Sequence, residues 1–237
     1  MVDFPELLRL IDERSAAFQA VIASAPSLDV PVPTCPGWTL ADLERHLVDG
    51  RRKWAAIAAA GPADSFAWSG APPVPLAEAT RELIDALRAA GPEAGCWTWW
   101  GRSQSPQTCA AVARHQVQEL AVHTYDAQVA VGDPQPLPVE IALDGVEEFQ
   151  TTCVATTSPW PHEPAVLRYD ATEGRSWRIF FSAEGARCEP GDGPADVSVT
   201  APAGDLVLLC YGRLSPGAVK VEGDRRVLDR LIAWEPA

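Results

Sequence analysis

Glu119 and His123 stand four residues apart in the run Gln118-Glu119-Leu120-Ala121-Val122-His123. On a helix that spacing puts a carboxylate and an imidazole one turn apart on one face. His46 is one of only four histidines in the chain. It lies in a second helical pattern, Leu40 to Ile57. Two imidazoles and a carboxylate from two helices make the three-ligand set of a catalytic zinc or similar divalent site, with one position left open. Such a site activates a water or a thiol. The spacing also has a plainer reading, since a Glu–His pair at i,i+4 is common on exposed helix faces and worth roughly a few tenths of a kcal/mol. The surroundings weigh against it. Glu119 sits among Val117, Leu120 and Val122, and a carboxylate pointing inward from so apolar a stretch needs a partner. A metal supplies one; Arg114, five residues earlier, is a less direct neighbour.

The elements that must carry these residues are legible from periodicity and punctuation. Phe4, Leu7, Leu8, Leu10, Ile11, Phe18, Val21 and Ile22 recur near the helical period, and Pro26 with Val30-Pro31-Val32-Pro33 ends that helix in an extended connector. Thr39 caps a second helix with Asp42 as its capping-box partner, and Gly61-Pro62 stops it near Ala60. A third helix is predicted from Leu76 to Ala90, a fourth from about Gln107 to Val131 and a fifth from near Pro138 to about Cys153. Packing the second helix beside the fourth would bring His46 toward Glu119 and His123, as bundle cores do for metal sites. The pattern then changes. Thr156 to Pro164 reads as a linker, Val166–Tyr169, Trp177–Phe181 and Asp196–Thr200 as strands, and Asp205–Tyr211 as a helix. Ala218–Val221 reads as a short strand and Arg225–Trp234 as a closing helix. The expected fold class is α+β: a helical bundle over residues 1–155 followed by a small α+β domain over 165–237.

Composition narrows the partners. The chain has 237 residues, 47% hydrophobic and 22% charged, with a net charge of −13. No basic stripe can neutralise phosphates, which argues against nucleic acid and anionic membrane surfaces. No run approaches the roughly 20 apolar residues of a membrane span. The opening Met1-Val2-Asp3-Phe4-Pro5-Glu6 lacks the order of a secretion signal, so a cytoplasmic location is expected. The six cysteines, at 35, 96, 109, 153, 188 and 210, form no C-x-x-C. They are expected to be reduced, buried and without an internal nucleophile pair; Cys35 alone borders a motif. Tryptophans 97, 99 and 100 are expected in bundle packing or at the rim of a cleft.

The stretch Val32-Pro33-Thr34-Cys35-Pro36-Gly37-Trp38-Thr39, continuing to His46-Leu47, resembles the signature of the mycothiol-dependent maleylpyruvate isomerase family. So do the tryptophan-rich loop Cys96–Gly101 and the segment from Arg114 to Ala127, with Glu119, His123 and Asp126 in order. Further on, Val197–Leu206, Tyr211-Gly212-Arg213 and Val221-Glu222-Gly223-Asp224 resemble the family's small sterol-carrier-like domain. The resemblance implies a DinB-like four-helix bundle that holds a divalent metal, such as Zn2+, on His46, Glu119 and His123. It implies an isomerase or S-transferase that takes mycothiol or a similar small thiol as cosubstrate, acts on a small electrophile, and is a monomer or small homo-oligomer. Arg213 would then pair with a carboxylate of the thiol or substrate. Where many relatives carry His immediately before the ligand Glu and Arg-Trp after the ligand His, this chain has Gln118 and Thr124-Tyr125. These departures leave the metal set intact, and His115, displaced from that position, is expected at the surface. Two other readings stand beside this one. The chain is a non-catalytic small-ligand binder or regulatory module with a vestigial metal site, or it is a metal-dependent hydrolase with water at the open position.

Overall fold

The structure, a computed structural model, describes residues 2–235. Four helices form the first part of the chain, and local chemistry sets their ends. Asp3 caps α1 (Phe4–Ser24) by accepting from the Glu6 N–H at 2.9 Å. The predicted capping box opens α2 (Leu40–Ala60): Thr39 accepts from the Asp42 N–H, and the Asp42 carboxylate accepts from the Thr39 N–H. Gly91 ends α3 (Leu76–Ala90). Thr108 caps α4 (Cys109–Val131) through the Ala111 N–H, which starts this helix slightly later than periodicity alone predicts. Gly132 ends it in the left-handed conformation, at φ 82°.

These helices make one bundle, with α2 packed on α3, α1 on α4, and further contacts of α1 with α3 and of α2 with α4. Its core holds Ile11, Phe18, Leu40, Leu43, Leu47, Ile57, Leu83, Leu87 and Leu120, none more than 1% exposed. Burial on that scale stabilises by about 1.5–3 kcal/mol per large side chain. A pair of hydroxyls, those of Ser15 and Thr80, meets across this core at 2.9 Å. Helix α4 is buried on more than one face: Val112, Val117, Leu120 and Ala127 are inside, and so are Gln116, Gln118, Thr124 and Asp126. Buried polar side chains require partners; Thr124 donates to Leu120 O, and the partners of Gln116 and Asp126 build the site described below.

By its contacts the chain divides into two compact units. The first runs to Trp99 and resumes over Gln107–Leu137; the second takes Trp100–Pro106 and everything from Pro138 on. Helix α5 (Val139–Phe149) packs on α6 (Ala203–Cys210), so it joins the second unit. This differs from the expected limits of 1–155 and 165–237, because periodicity marks α5 as a helix without saying which neighbour its Ile141, Ala142 and Val146 are buried against. A π-helical turn, Gln150–Val154, continues α5.

The second unit is built on a five-stranded sheet in the order β3-β2-β1-β4-β5. Its strands are β1 (Ala165–Ala171), β2 (Ser176–Ser182), β3 (Gly185–Pro190), β4 (Val197–Ala201) and β5 (Lys220–Gly223). The β1–β4 pair is parallel and the others antiparallel. Trp177, Ile179 and Phe181 of β2 alternate into the core, as do Val197, Val199 and Ala201 of β4. Helix α7 (Arg225–Ile232) buries Val227 and Leu228. Strand β3 escapes the sequence reading because Arg187, Glu189 and Pro190 break its apolar alternation, and it can do so as an edge strand whose one neighbour in the sheet is β2. The α+β class read from the sequence is the class observed. Among the described residues no helix is long and apolar enough to cross a membrane.

Candidate metal centre

Helices α2 and α4 bring His46, Glu119 and His123 together. One donor atom from each lies within 4.8 Å of the others, and His46 Nε2 is 3.1 Å from Glu119 Oε1. The two imidazoles meet edge-on, with ring centroids 5.1 Å apart. Trp38, from the connector before α2, stands beside His46 with centroids 5.0 Å apart. The His46 side chain is 40% exposed, that of Glu119 17% and that of His123 14%, so the group opens to solvent on the His46 side. Gly50, one turn after His46, keeps the neighbouring helix face clear: a Cβ there would stand 3.7 Å from Glu119 Oε1, and any longer side chain would reach the carboxylate.

Two of the polar residues buried on α4, Asp126 and Gln116, form supports for the group. Behind His123, its Nδ1 lies 2.9 Å from Asp126 Oδ2, and the Asp126 side chain is fully buried. The Cys35 thiol donates to that same oxygen at 3.4 Å. A proton on Nδ1 held by a carboxylate leaves Nε2 with its lone pair available to a cation. Cys35, His123 and Asp126 also have donor atoms within 4.8 Å of one another, but here the carboxylate is already engaged by both neighbours. Behind Glu119, Gln116 donates to Oε2 and itself accepts from the guanidinium of Arg51 on α2. Arg51 is 0% exposed.

These supports fix the charge state. Burial pushes the Glu119 carboxyl up. The His46 hydrogen bond, the Arg51 charge and the imidazoles of His115 and His123 outweigh it and hold the carboxyl well below the usual carboxylate range. Burial lowers Arg51 to about 10 against the opposing pull of Glu119, so it remains a cation at neutral pH. An ionised carboxylate beside two imidazoles, one oriented through its other nitrogen, fits the donor set of a divalent metal with nitrogen and oxygen ligands and an open position.

The cation acting on Glu119 is thus Arg51, from another helix, rather than Arg114. In sequence, Arg51 hides in the basic run Arg51-Arg52-Lys53, which reads as a solvated face; its burial depends on the long-range pairing with Gln116. His115, expected at the surface, is half-buried, with its ring 6.4 Å from Trp54 and 5.8 Å from Trp99. Trp97 stacks with Phe66 at 6.3 Å beneath the Lys53 ammonium, and Trp99 is 51% exposed. Trp100 is buried in the second unit and donates to Pro106 O. Arg213 also belongs to the second unit. There its Nη1 donates to Tyr211 O at 2.8 Å, and it lines a cavity of about 630 Å³ with Phe149, Tyr169, Tyr211, Leu228 and Trp234.

Comparisons with known proteins follow the same division. The family model "Mycothiol maleylpyruvate isomerase N-terminal domain" matches residues 8–128, and "MDMPI C-terminal domain" matches residues 140–230. The fold is similar to the crystal structure of the mycothiol-dependent maleylpyruvate isomerase, at 14% identity and a TM-score of 0.61, with 93% of each chain covered. A histidine-to-alanine mutant of that enzyme matches at 14% identity and a TM-score of 0.58 over the same coverage. No curated protein sequence matches the chain.

Proposed function

The chain belongs to the mycothiol maleylpyruvate isomerase family, and on that premise we propose that it is a metal-dependent enzyme using a small thiol such as mycothiol to isomerise, or to transfer that thiol to, a small electrophile. The observation that carries the reading is the convergence of His46, Glu119 and His123 on one solvent-open point. These three residues would hold the metal, with zinc the ion best matched to a two-imidazole, one-carboxylate set. When bound, a divalent ion lowers the pKa of a thiol at its open position from about 8.5, making thiolate available at neutral pH.

The chain's own groups do the rest. Asp126 holds the proton on His123 Nδ1 and keeps the ring turned toward the centre. Gln116 and Arg51 keep Glu119 ionised and aimed. Trp38 walls one side of His46. Arg213 is the proposed partner for a carboxylate of the thiol or of the electrophile; its planar guanidinium suits that role. An Arg213→Ala change should then raise KM more than it lowers kcat.

The test is metal analysis of the purified protein followed by turnover of a panel of electrophiles with and without mycothiol. Zinc near one equivalent, lost in His123→Ala with the fold retained, together with strict thiol dependence, is the expected result. Equal turnover without any thiol would overturn the thiol reading in favour of water as nucleophile. Full metal retention in variants at all three ligand positions would overturn the site.

A further inference from the structure

Cys96 and Cys109 are far apart in sequence, yet the fold pairs them. Gly95 and Thr108 form an isolated antiparallel bridge. Beside it the Cys96 N–H donates to Gln107 O at 3.1 Å and the Cys109 N–H donates to Ala94 O at 2.9 Å. Residues flanking such a bridge project to the side opposite the bridging pair, so the two cysteines lie diagonally on one face. Their thiols are hydrogen-bonded to each other. Cys109 is the first residue of α4, where unpaired backbone N–H groups and the helix dipole favour a negative charge. Both are buried, Cys109 at 0% and Cys96 at 3% exposed. Cys96 lines a cleft of about 520 Å³ whose rim residues Pro62, Ala63 and Asp64 are exposed.

We propose that Cys96 and Cys109 are a redox-active dithiol that closes to an intramolecular disulfide by exchange with a low-molecular-weight disulfide entering the cleft at Cys96. The hydrogen bond from Cys96 lowers the Cys109 thiol, and Cys109, together with burial, raises that of Cys96, so the first thiolate forms on Cys109. The retained proton can move between the sulfurs. With it on Cys109, Cys96 is the thiolate at the cleft. Cys96 attacks one sulfur of the incoming disulfide, and the other sulfur leaves as a small thiolate that takes up a proton. Cys109 then gives its proton to solvent, attacks the Cys96 sulfur of the mixed disulfide and expels the second small thiol. In sum, two protein thiols lose two hydrogens, and one small disulfide gains them as two thiols. The bond ties the connector after α3 to the first turn of α4. None of this rests on the metal reading, so the two stand or fall separately.

The experiment exposes the full chain to hydroxyethyl disulfide at about pH 8, near the pKa of a free thiol. Remaining thiols are then blocked with N-ethylmaleimide under denaturing conditions, and peptides are mapped by mass spectrometry. The expected product is a Cys96–Cys109 disulfide, reversed by dithiothreitol, with the remaining cysteines alkylated. Cys109→Ser should stop at a stable mixed disulfide on Cys96, and Cys96→Ser should cut adduct formation at Cys109 by about tenfold or more. Complete alkylation of both cysteines in the treated wild type, or earlier bridging of another pair, would overturn the proposal. Wild-type mapping decides the matter even if a variant does not fold.

Discussion

At the residue scale, the centre is a contest between a buried carboxylate and the groups that keep it charged. Glu119 and Arg51 are bridged by Gln116 and act on each other's charge directly, so neither is independent of the other. Removing one charge of a buried pair costs about 3–5 kcal/mol, because the other is left uncompensated. Arg51→Met should therefore destabilise the metal-free protein by that amount. The double change with Glu119→Gln should recover part of the loss, a coupling measurable by denaturant unfolding as a double-mutant cycle. Asp126→Asn acts differently: it leaves all three donors in place but loosens the Nδ1 anchor of His123. Metal affinity should fall about 10–100-fold, read by competition with a chromophoric chelator. Glu119 and His123 were visible in the sequence through their i,i+4 spacing in an apolar stretch, and His46 as one of four histidines, set in a second helical pattern. Asp126 was visible only through family resemblance. Arg51 and Gln116 were not visible, since their meaning lies in a contact between residues on different helices.

At the level of elements, the second unit depends on backbone positions that admit no side chain, Gly185 among them. Gly185, the first residue of β3, has φ 122°, and a Cβ there would come within 1.9 Å of Thr156 O. Thr156 is held in place by its paired 2.9 Å hydrogen bonds with Ala186. The change Gly185→Ala combines positive-φ strain with a backbone clash, and should cost about 2–4 kcal/mol in thermal or chemical denaturation. A second prediction concerns α7, whose N-cap is Asp224. The side-chain hydrogen bond from Arg226 lowers this exposed carboxyl to about 2. The folded value lies below the unfolded value of about 3.9, so its contribution is present above that pH and is lost as pH falls toward 2. Fluorescence of Trp234, just past α7 and 5.0 Å from Trp160, should report an acid transition in that window, shallower in Asp224→Asn. The helices and four of the strands could be read from period and caps. Strand β3 could not, because an edge strand tolerates Arg, Glu and Pro where a central strand would not.

On the scale of the whole molecule, a ligand that binds only the folded chain stabilises the part that holds it. Zinc at a thousandfold excess over its Kd adds about 4 kcal/mol. Hydrogen exchange should accordingly slow in α2 and α4 on adding zinc, while the β1–β5 sheet keeps its metal-free rates. Protection spread evenly over both units, or confined to the sheet, would count against the ligand assignment. The division into two units was only partly legible: the change of periodicity announced a sheet domain, but the side taken by α5 depended on contacts that periodicity does not encode. One consequence reaches past this protein. Glu119, His123 and Asp126 recur at i, i+4 and i+7, so a single helix carries two donors and the anchor of one of them, and α2 adds only His46. A centre written so nearly on one helix is portable. Grafted onto the inner face of any antiparallel bundle with one facing histidine at matched depth, it should bring its chemistry along, leaving the loops and the partner domain free to diverge around it.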